Sequence, residues 1–118
     1  MAIVTNDWTG KITGSVFQVG NGDPIVPPTG HVFVAITALT AVDFESSPGL
    51  VADDATVWAN TQDAANDLAA GSESTSEGSG GVQITNTNLD LPAGTTIYGR
   101  YTKIDIKTGQ IIAYIGKA

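Results

Sequence analysis

The side chains best suited to acid–base or nucleophilic chemistry are scarce in this chain of 118 residues. His31 is the only histidine, and there is no cysteine. A Ser-His-Asp system would need His31, but no serine lies in a Gly-x-Ser-x-Gly elbow. We therefore expect His31 to be half-exposed and hydrogen-bonded to the backbone, and we predict that the chain is not an enzyme.

Carboxylates are the only abundant metal-ligating groups. A zinc site needs several histidine or cysteine ligands, which this composition excludes. Calcium needs only oxygens, and Asp53 and Asp54 with Asp43 or Glu45 could supply them, but their spacing matches no regular calcium loop. We interpret these carboxylates as a solvated acidic surface and predict that the chain holds no metal and no cofactor.

The distribution of charge argues against two classes of partner. The net charge is −7, and residues 41–80 hold eight of the twelve acidic residues with no lysine or arginine. A nucleic-acid binder needs a basic surface, which this chain lacks. No apolar run approaches the length of a membrane-spanning helix, and residues 1–8 lack the pattern of a signal peptide. We expect neither nucleic acid nor membrane as a partner.

Arg100 is the residue that points most directly to a protein contact. It is the only arginine, it lies within a predicted strand, and Gly99 before it marks a place of close backbone approach. Its guanidinium can pair with another subunit or form an intrachain salt bridge over a tyrosine ring, and both interpretations remain open. The candidate interface residues are this arginine and five aromatic residues: Trp8, Phe17, Tyr98, Arg100, Tyr101 and Tyr114.

The strongest secondary-structure signal lies in residues 31–44 (HVFVAITALTAVDF). Both alternating sets of side chains are largely apolar and β-branched residues dominate, which predicts a strand that bends near its middle. Such a strand belongs at the centre of a sandwich or barrel, or is covered on one face by another subunit. Residues 9–19 (TGKITGSVFQV) are predicted to form an arm or an edge strand, and residues 20–30 a loop containing three prolines.

The rest of the chain alternates between predicted strands and turns. Gly109 suits the left-handed position of a turn at residues 107–110, which separates two strands and forms a C-terminal hairpin. The predicted segments are strands at 95–106 and 111–115, one strand or two short ones at 82–91, one short helix at most at 63–70, and a flexible Gly/Ser loop at 71–81. Residues 51–70 are ambiguous, and within them 57–58 could form a short strand.

These elements predict an all-β fold, an antiparallel β-sandwich or barrel-like domain with an extended N-terminal arm. The arm and its loop occupy residues 1–27, and a single β domain occupies residues 28–118. The Gly/Ser loop is not a phosphate-binding loop, because Val82 and Gln83 follow its last glycine where the Walker pattern needs lysine and a hydroxyl residue.

Several segments resemble a family of small virion proteins of tailed bacteriophages. The resemblance covers roughly residues 28–116 and rests on a run of matches, not on a catalytic signature. The matching segments are 30–39 (GHVFVAITAL), 68–73 (LAAGSE), 77–82 (EGSGGV), 91–101 (LPAGTTIYGRY), the Thr108-Gly109 turn and 111–116 (IIAYIG).

The resemblance implies a particle component. A capsid decoration (cement) protein is the first expectation: it would bind the major capsid protein on the capsid surface of the virion and bridge capsid subunits. Such proteins often form homo-oligomers, with a trimer favoured and a dimer possible. The alternatives are another virion component (tail, head–tail or fibre) and, from a different class, a host-surface or glycan-binding module.

Overall fold

A computed structural model describes residues 12–45, 48–54, 57–61, 84 and 91–118. These residues form seven strands and no helix: β1 (Ile12–Val19), β2 (His31–Ala38), β3 (Asp43–Phe44), β4 (Leu50–Ala52), β5 (Thr96–Ile104), β6 (Ile106–Thr108) and β7 (Gln110–Lys117). The predicted helix at 63–70, the loop at 71–81 and Trp8 lie outside the described residues.

The strands form two antiparallel sheets, which confirms the predicted all-β fold. The larger sheet has the order β1-β7-β2-β5-β4, and β3 pairs with β6 in the smaller one. Buried side chains from both sheets share one apolar cluster, which includes Phe33, Ile36, Phe44, Leu50, Tyr101, Ile104, Ile106 and Ile111. The burial of this cluster is the main stabilising term available to a domain of this size.

The segment at 31–44, which is apolar on both faces, bends near its middle as predicted and contributes one strand to each sheet. Its first half is β2, the central strand of the large sheet, and its last two residues are β3 in the small sheet. Gly109 packs at this bend with φ near 98°, where an added Cβ would meet the carbonyl of Ala41. The predicted left-handed glycine is therefore confirmed, and its missing side chain also makes room for the bend.

The predicted C-terminal hairpin is wrong. Residues 95–106 do not form one strand, because β5 ends at Ile104 and β6 joins β3 in the other sheet. β7 then lies between β1 and β2, so β2 separates it from β5. β5 and β7 are both antiparallel to β2 and hence run in the same direction, which a hairpin cannot achieve. β2 pairs with both neighbours because the backbone amides and carbonyls of a strand point to its two edges in turn.

The segment after β1 runs along β6 and the residues that flank it. The backbone amides of Gly20, Asn21 and Ile25 donate to the carbonyls of Gly109, Ile106 and Ile104 at 2.8, 3.2 and 2.8 Å. On the other side of β6 lies β3, whose neighbour Val42 forms a bridge with Leu91. Residues 20–30 contain no strand, as predicted.

Residues 57–58, where a short strand was one option, form a turn instead. The amides of Val57 and Trp58 both donate to the carbonyl of Asp54, each at 3.1 Å, which leaves no extended backbone to pair. Of the segment predicted to be strand at 82–91, the described residues Ile84 and Leu91 each form a single bridge, to Thr61 and Val42.

Candidate protein-interaction surface

The large sheet has one face on the core and one face turned away from it. Opposite residues of antiparallel neighbours point to the same side, so the register between strands assigns each side chain to a face. The outer face, on the side away from the core, consists of three rows of residues that cross the sheet. The first row is Val19, Gln110 and Leu39; the second is Phe17, Ile112, Thr37 and Thr96; the third is Ser15, Tyr114, Ala35 and Tyr98.

The three rows of the outer face are rich in apolar and aromatic residues and hold no charged side chain, while Arg100, two residues after Tyr98 on β5, lies beside them on the same side of the sheet. Tyr98 is 73% exposed, Phe17 55%, Val19 52% and Leu39 43%, whereas none of the residues in the three rows carries a charge. Contiguous apolar surface of this kind is uncommon on monomeric proteins and marks a site of interaction. The outer face therefore has the composition expected at the centre of a protein–protein contact, where aromatic residues are enriched and charges are depleted.

The scaffold beneath the outer face is regular sheet, which holds its side chains in place. Thr37 on β2 and Thr96 on β5 are directly opposite, and their hydroxyls form a cross-strand hydrogen bond of 2.9 Å. Ala35 is paired with both Tyr114 and Tyr98 and is only 6% exposed. A surface built on a hydrogen-bonded sheet loses little backbone freedom when a partner binds.

The structure brings three of the predicted interface residues together on this surface. Phe17, Tyr114 and Tyr98 come from β1, β7 and β5, strands that are far apart in sequence but share the outer face. Trp8 lies outside the described residues. Val19, Leu39 and Ile112 belong to the same surface although sequence reasoning missed them. The available signal was the alternation of β1 and β7, which puts Val19 with Phe17 and Ile112 with Tyr114.

Arg100 makes an intrachain ion pair. Its Nε donates to Oδ2 of Asp53 at 2.7 Å, and the two side chains are 37% and 28% exposed. Of the two interpretations of Arg100, the intrachain salt bridge is thus the one present in this chain. An ion pair this accessible to water contributes little to stability, typically about 0 to 1 kcal/mol.

Tyr101 does not belong to the outer face. Its side chain points to the opposite side of β5 from Tyr98 and is only 1% exposed, so it is a core residue and no partner can reach it in this fold. Burial raises the pKa of its phenol to about 12. The ring folds back over Gly99, where a Cβ would lie 2.6 Å from the ring carbon Cζ. Gly99 is therefore required by Tyr101 and not by a partner.

This contact predicts that Gly99→Ala destabilises the fold by about 1–3 kcal/mol, the usual cost of overpacking a core. The measurement is urea denaturation of the purified variant. Gly14→Ala is the matched control, because a Cβ at Gly14 in β1 would meet only Ile115 at an ordinary 3.7 Å. Equal stability of the two alanine variants would contradict the role assigned to the Tyr101 ring.

Asp105 is a buried acidic residue that lies near two other carboxylates, those of Glu45 and Asp23. Asp105 lies in the break between β5 and β6, is 7% exposed, and its Oδ1 has no hydrogen-bond partner in the described structure. Its pKa is raised, first by loss of hydration and then by repulsion from Glu45 and Asp23. Among the described residues no cluster of three or more acidic or histidine side chains is arranged to hold a metal ion.

Asp105 gives the stability a pH dependence with a defined sign. Its folded pKa lies above its unfolded value, so ionisation at neutral pH opposes folding, and stability rises as pH falls through the raised pKa. We expect Asp105→Asn to be more stable than the natural chain at neutral pH and to lose this part of the pH dependence. Thermal melts from neutral to mildly acidic pH test this; Glu45→Gln, which removes one source of repulsion, should change stability in the same direction by less.

His31 contacts the backbone of the loop before β2. Nδ1 of His31 lies 3.1 Å from the carbonyl of Thr29, so the predicted hydrogen bond between His31 and the backbone is confirmed. No helix within the described parts of the chain is long and apolar enough to cross a membrane. Comparisons with family models, curated proteins and solved structures found no match to this chain.

Proposed function

We propose that this chain is a structural protein that assembles with other protein through its outer face. The observation that supports this most directly is the set of three uncharged rows, with Phe17 and Tyr98 more than half exposed on a rigid sheet. The chain carries a net charge of −7, and none of that charge lies in these rows. An acidic protein with such a surface can bind other protein through the uncharged rows, while its charged surfaces stay hydrated and repel one another.

We further propose that the assembly is a bacteriophage particle and that the chain is a capsid decoration protein. This step depends on the resemblance of residues 28–116 to small virion proteins of tailed phages. The partner would be the major capsid protein on the outside of the shell. A specific contact buries about 1,600 Å² in total, and repetition over a symmetric shell multiplies its contribution to capsid stability.

The test is to add the purified protein to capsids that lack it. We expect saturable binding in a fixed ratio to capsid subunits, a higher temperature of capsid disruption, and density on the capsid exterior by cryo-electron microscopy. Density on a tail, a connector or a fibre would replace the capsid role with another virion role. Binding to glycans without binding to particles would overturn the proposal in favour of a host-surface module.

A further inference from the structure

The two edges of the large sheet differ sharply in how they are protected. The β4 edge has only three residues and is followed at once by Asp53 and Asp54. The β1 edge has eight residues, Ile12–Val19, with no charge and no proline. Its one bulge lies near its N-terminal end, between Ile12 and Gly14, so the pairing from Gly14 to Val19 is regular. Soluble proteins normally protect long edges with charges, prolines or central bulges.

Two hydrogen bonds near the start of β7 show which backbone groups of β1 point toward β7 and which point away from the sheet. The amide of Gly20 donates to Gly109 at 2.8 Å, and the amide of Leu39 donates to Gln110 at 2.9 Å. Bonded and non-bonded pairs alternate along antiparallel strands, so even-numbered residues of β1 bond to β7. The amides and carbonyls of Ser15, Phe17 and Val19 therefore point away from β7, and none of the described residues pairs with them.

We propose that this edge binds a second copy of the chain, β1 against β1 in antiparallel orientation about a twofold axis. Two properties of β1 allow it to pair with a second copy of itself: the parity of its residues and its lack of charge. Antiparallel self-pairing places residues of the same parity opposite one another, so exposed side chains of both copies stay on the same face. No charged residue of β1 opposes its copy, although the chain as a whole is strongly acidic.

This pairing joins the two large sheets into one continuous sheet and places the two outer faces side by side. It deepens the proposed assembly role, since the joined faces double the apolar surface offered to a further partner. The geometry assigns a dimer, because self-pairing of one edge closes after two copies and cannot generate a threefold ring. Of the two oligomers expected from the resemblance, pairing at this edge favours the dimer over the trimer.

The test uses Ser15→Pro, which removes an outward amide without removing a bond to β7. Proline is tolerated on edge strands where the lost amide faces away from the sheet. Ser15→Thr keeps the amide and is the matched control. We expect the natural chain and Ser15→Thr to have twice the chain mass by light scattering, and Ser15→Pro to have the mass of one chain with an unchanged circular dichroism spectrum. If Ser15→Pro does not fold, Ser15→Lys brings two like charges to the same edge and replaces it.

Amide hydrogen exchange provides a second readout at single residues. In the dimer the amides of Phe17 and Val19 should exchange slowly, and they should become fast in Ser15→Pro. The amides of Val16 and Gln18, which bond to β7, should stay slow in both proteins and thus report an intact fold. A natural chain that is monomeric or trimeric, or a folded Ser15→Pro that remains dimeric, overturns the proposal. Tyr98→Ala lies on β5, which β7 and β2 separate from the β1 edge, and it should stay dimeric whatever its affinity for capsids, so failure of the dimer and failure of the proposed function are distinguishable.

Discussion

Replacing Gly49 by alanine is expected to lower the free energy of unfolding by about 3 kcal/mol or more, the sum of a left-handed backbone cost and the cost of overpacking. Gly49 has φ near 64°, and an added Cβ would collide with the Thr61 hydroxyl and the Glu45 carbonyl. The Thr61 hydroxyl cannot move freely, because it accepts a hydrogen bond of 2.6 Å from the amide of Leu50. The variant therefore either distorts β4 or breaks this bond.

Gly94→Ala separates the cost of the left-handed backbone from the cost of overpacking. Gly94 has φ near 86°, but a Cβ there would meet nothing within 4 Å, so this variant suffers only the backbone cost of about 1–2 kcal/mol. Urea denaturation of both variants and of the natural chain gives the comparison. Equal losses at the two glycines would show that the contact around Thr61 can relax, contrary to our account. The total free energy of unfolding of a native protein is about 5–15 kcal/mol, so the loss expected for Gly49→Ala is a large part of the stability.

Replacing the exposed aromatic residues of the outer face is expected to weaken assembly without weakening the fold. Tyr98→Ala and Phe17→Ala should each reduce the affinity for capsids by about tenfold or more, as central aromatic residues of interfaces do. Both side chains are more than half exposed, so their removal takes little apolar area from the core. Titration of protein-deficient capsids measures the affinity, and thermal melting of the free variants measures stability.

Val26→Ala is the matched control for this pair. Val26 is 58% exposed and equally apolar, but it lies in the loop between β1 and β2, outside the three rows. Its replacement should leave capsid affinity unchanged. Loss of affinity in all three variants would indicate general surface hydrophobicity, and no loss in Tyr98→Ala and Phe17→Ala would remove the outer face from the assembly.

Much of the fold was predictable from local patterns. The β-branched alternation of His31–Ala38 and Thr96–Ile104 identified two neighbouring strands of the large sheet, and the turn residues identified the loop after β1. The position of Gly109 in the turn at 107–110 predicted its left-handed backbone. These features depend on backbone preferences and side-chain patterns within a few residues, which a sequence displays directly.

The strand order was not predictable in the same way. The segment at 107–110 has the composition of a hairpin turn, and no local feature reveals that β2 lies between β5 and β7. Tyr98 and Tyr101 likewise looked equivalent as interface candidates. Alternation places them on opposite faces of β5, but only the packing of the second sheet decides that Tyr101 faces the core.

The sequence by itself determined that this protein is all-β, that its central strand is apolar on both faces, and that its carboxylates gather in one region, because each is a property of composition or period. Only the tertiary structure decided which residues form a surface. Phe17, Tyr98 and Tyr114 become neighbours through the register of four strands from distant parts of the chain, and Arg100 is taken by Asp53. The physical reason is that a sheet face is built from cross-strand pairs, and pairing is a long-range choice made by the burial of the whole core.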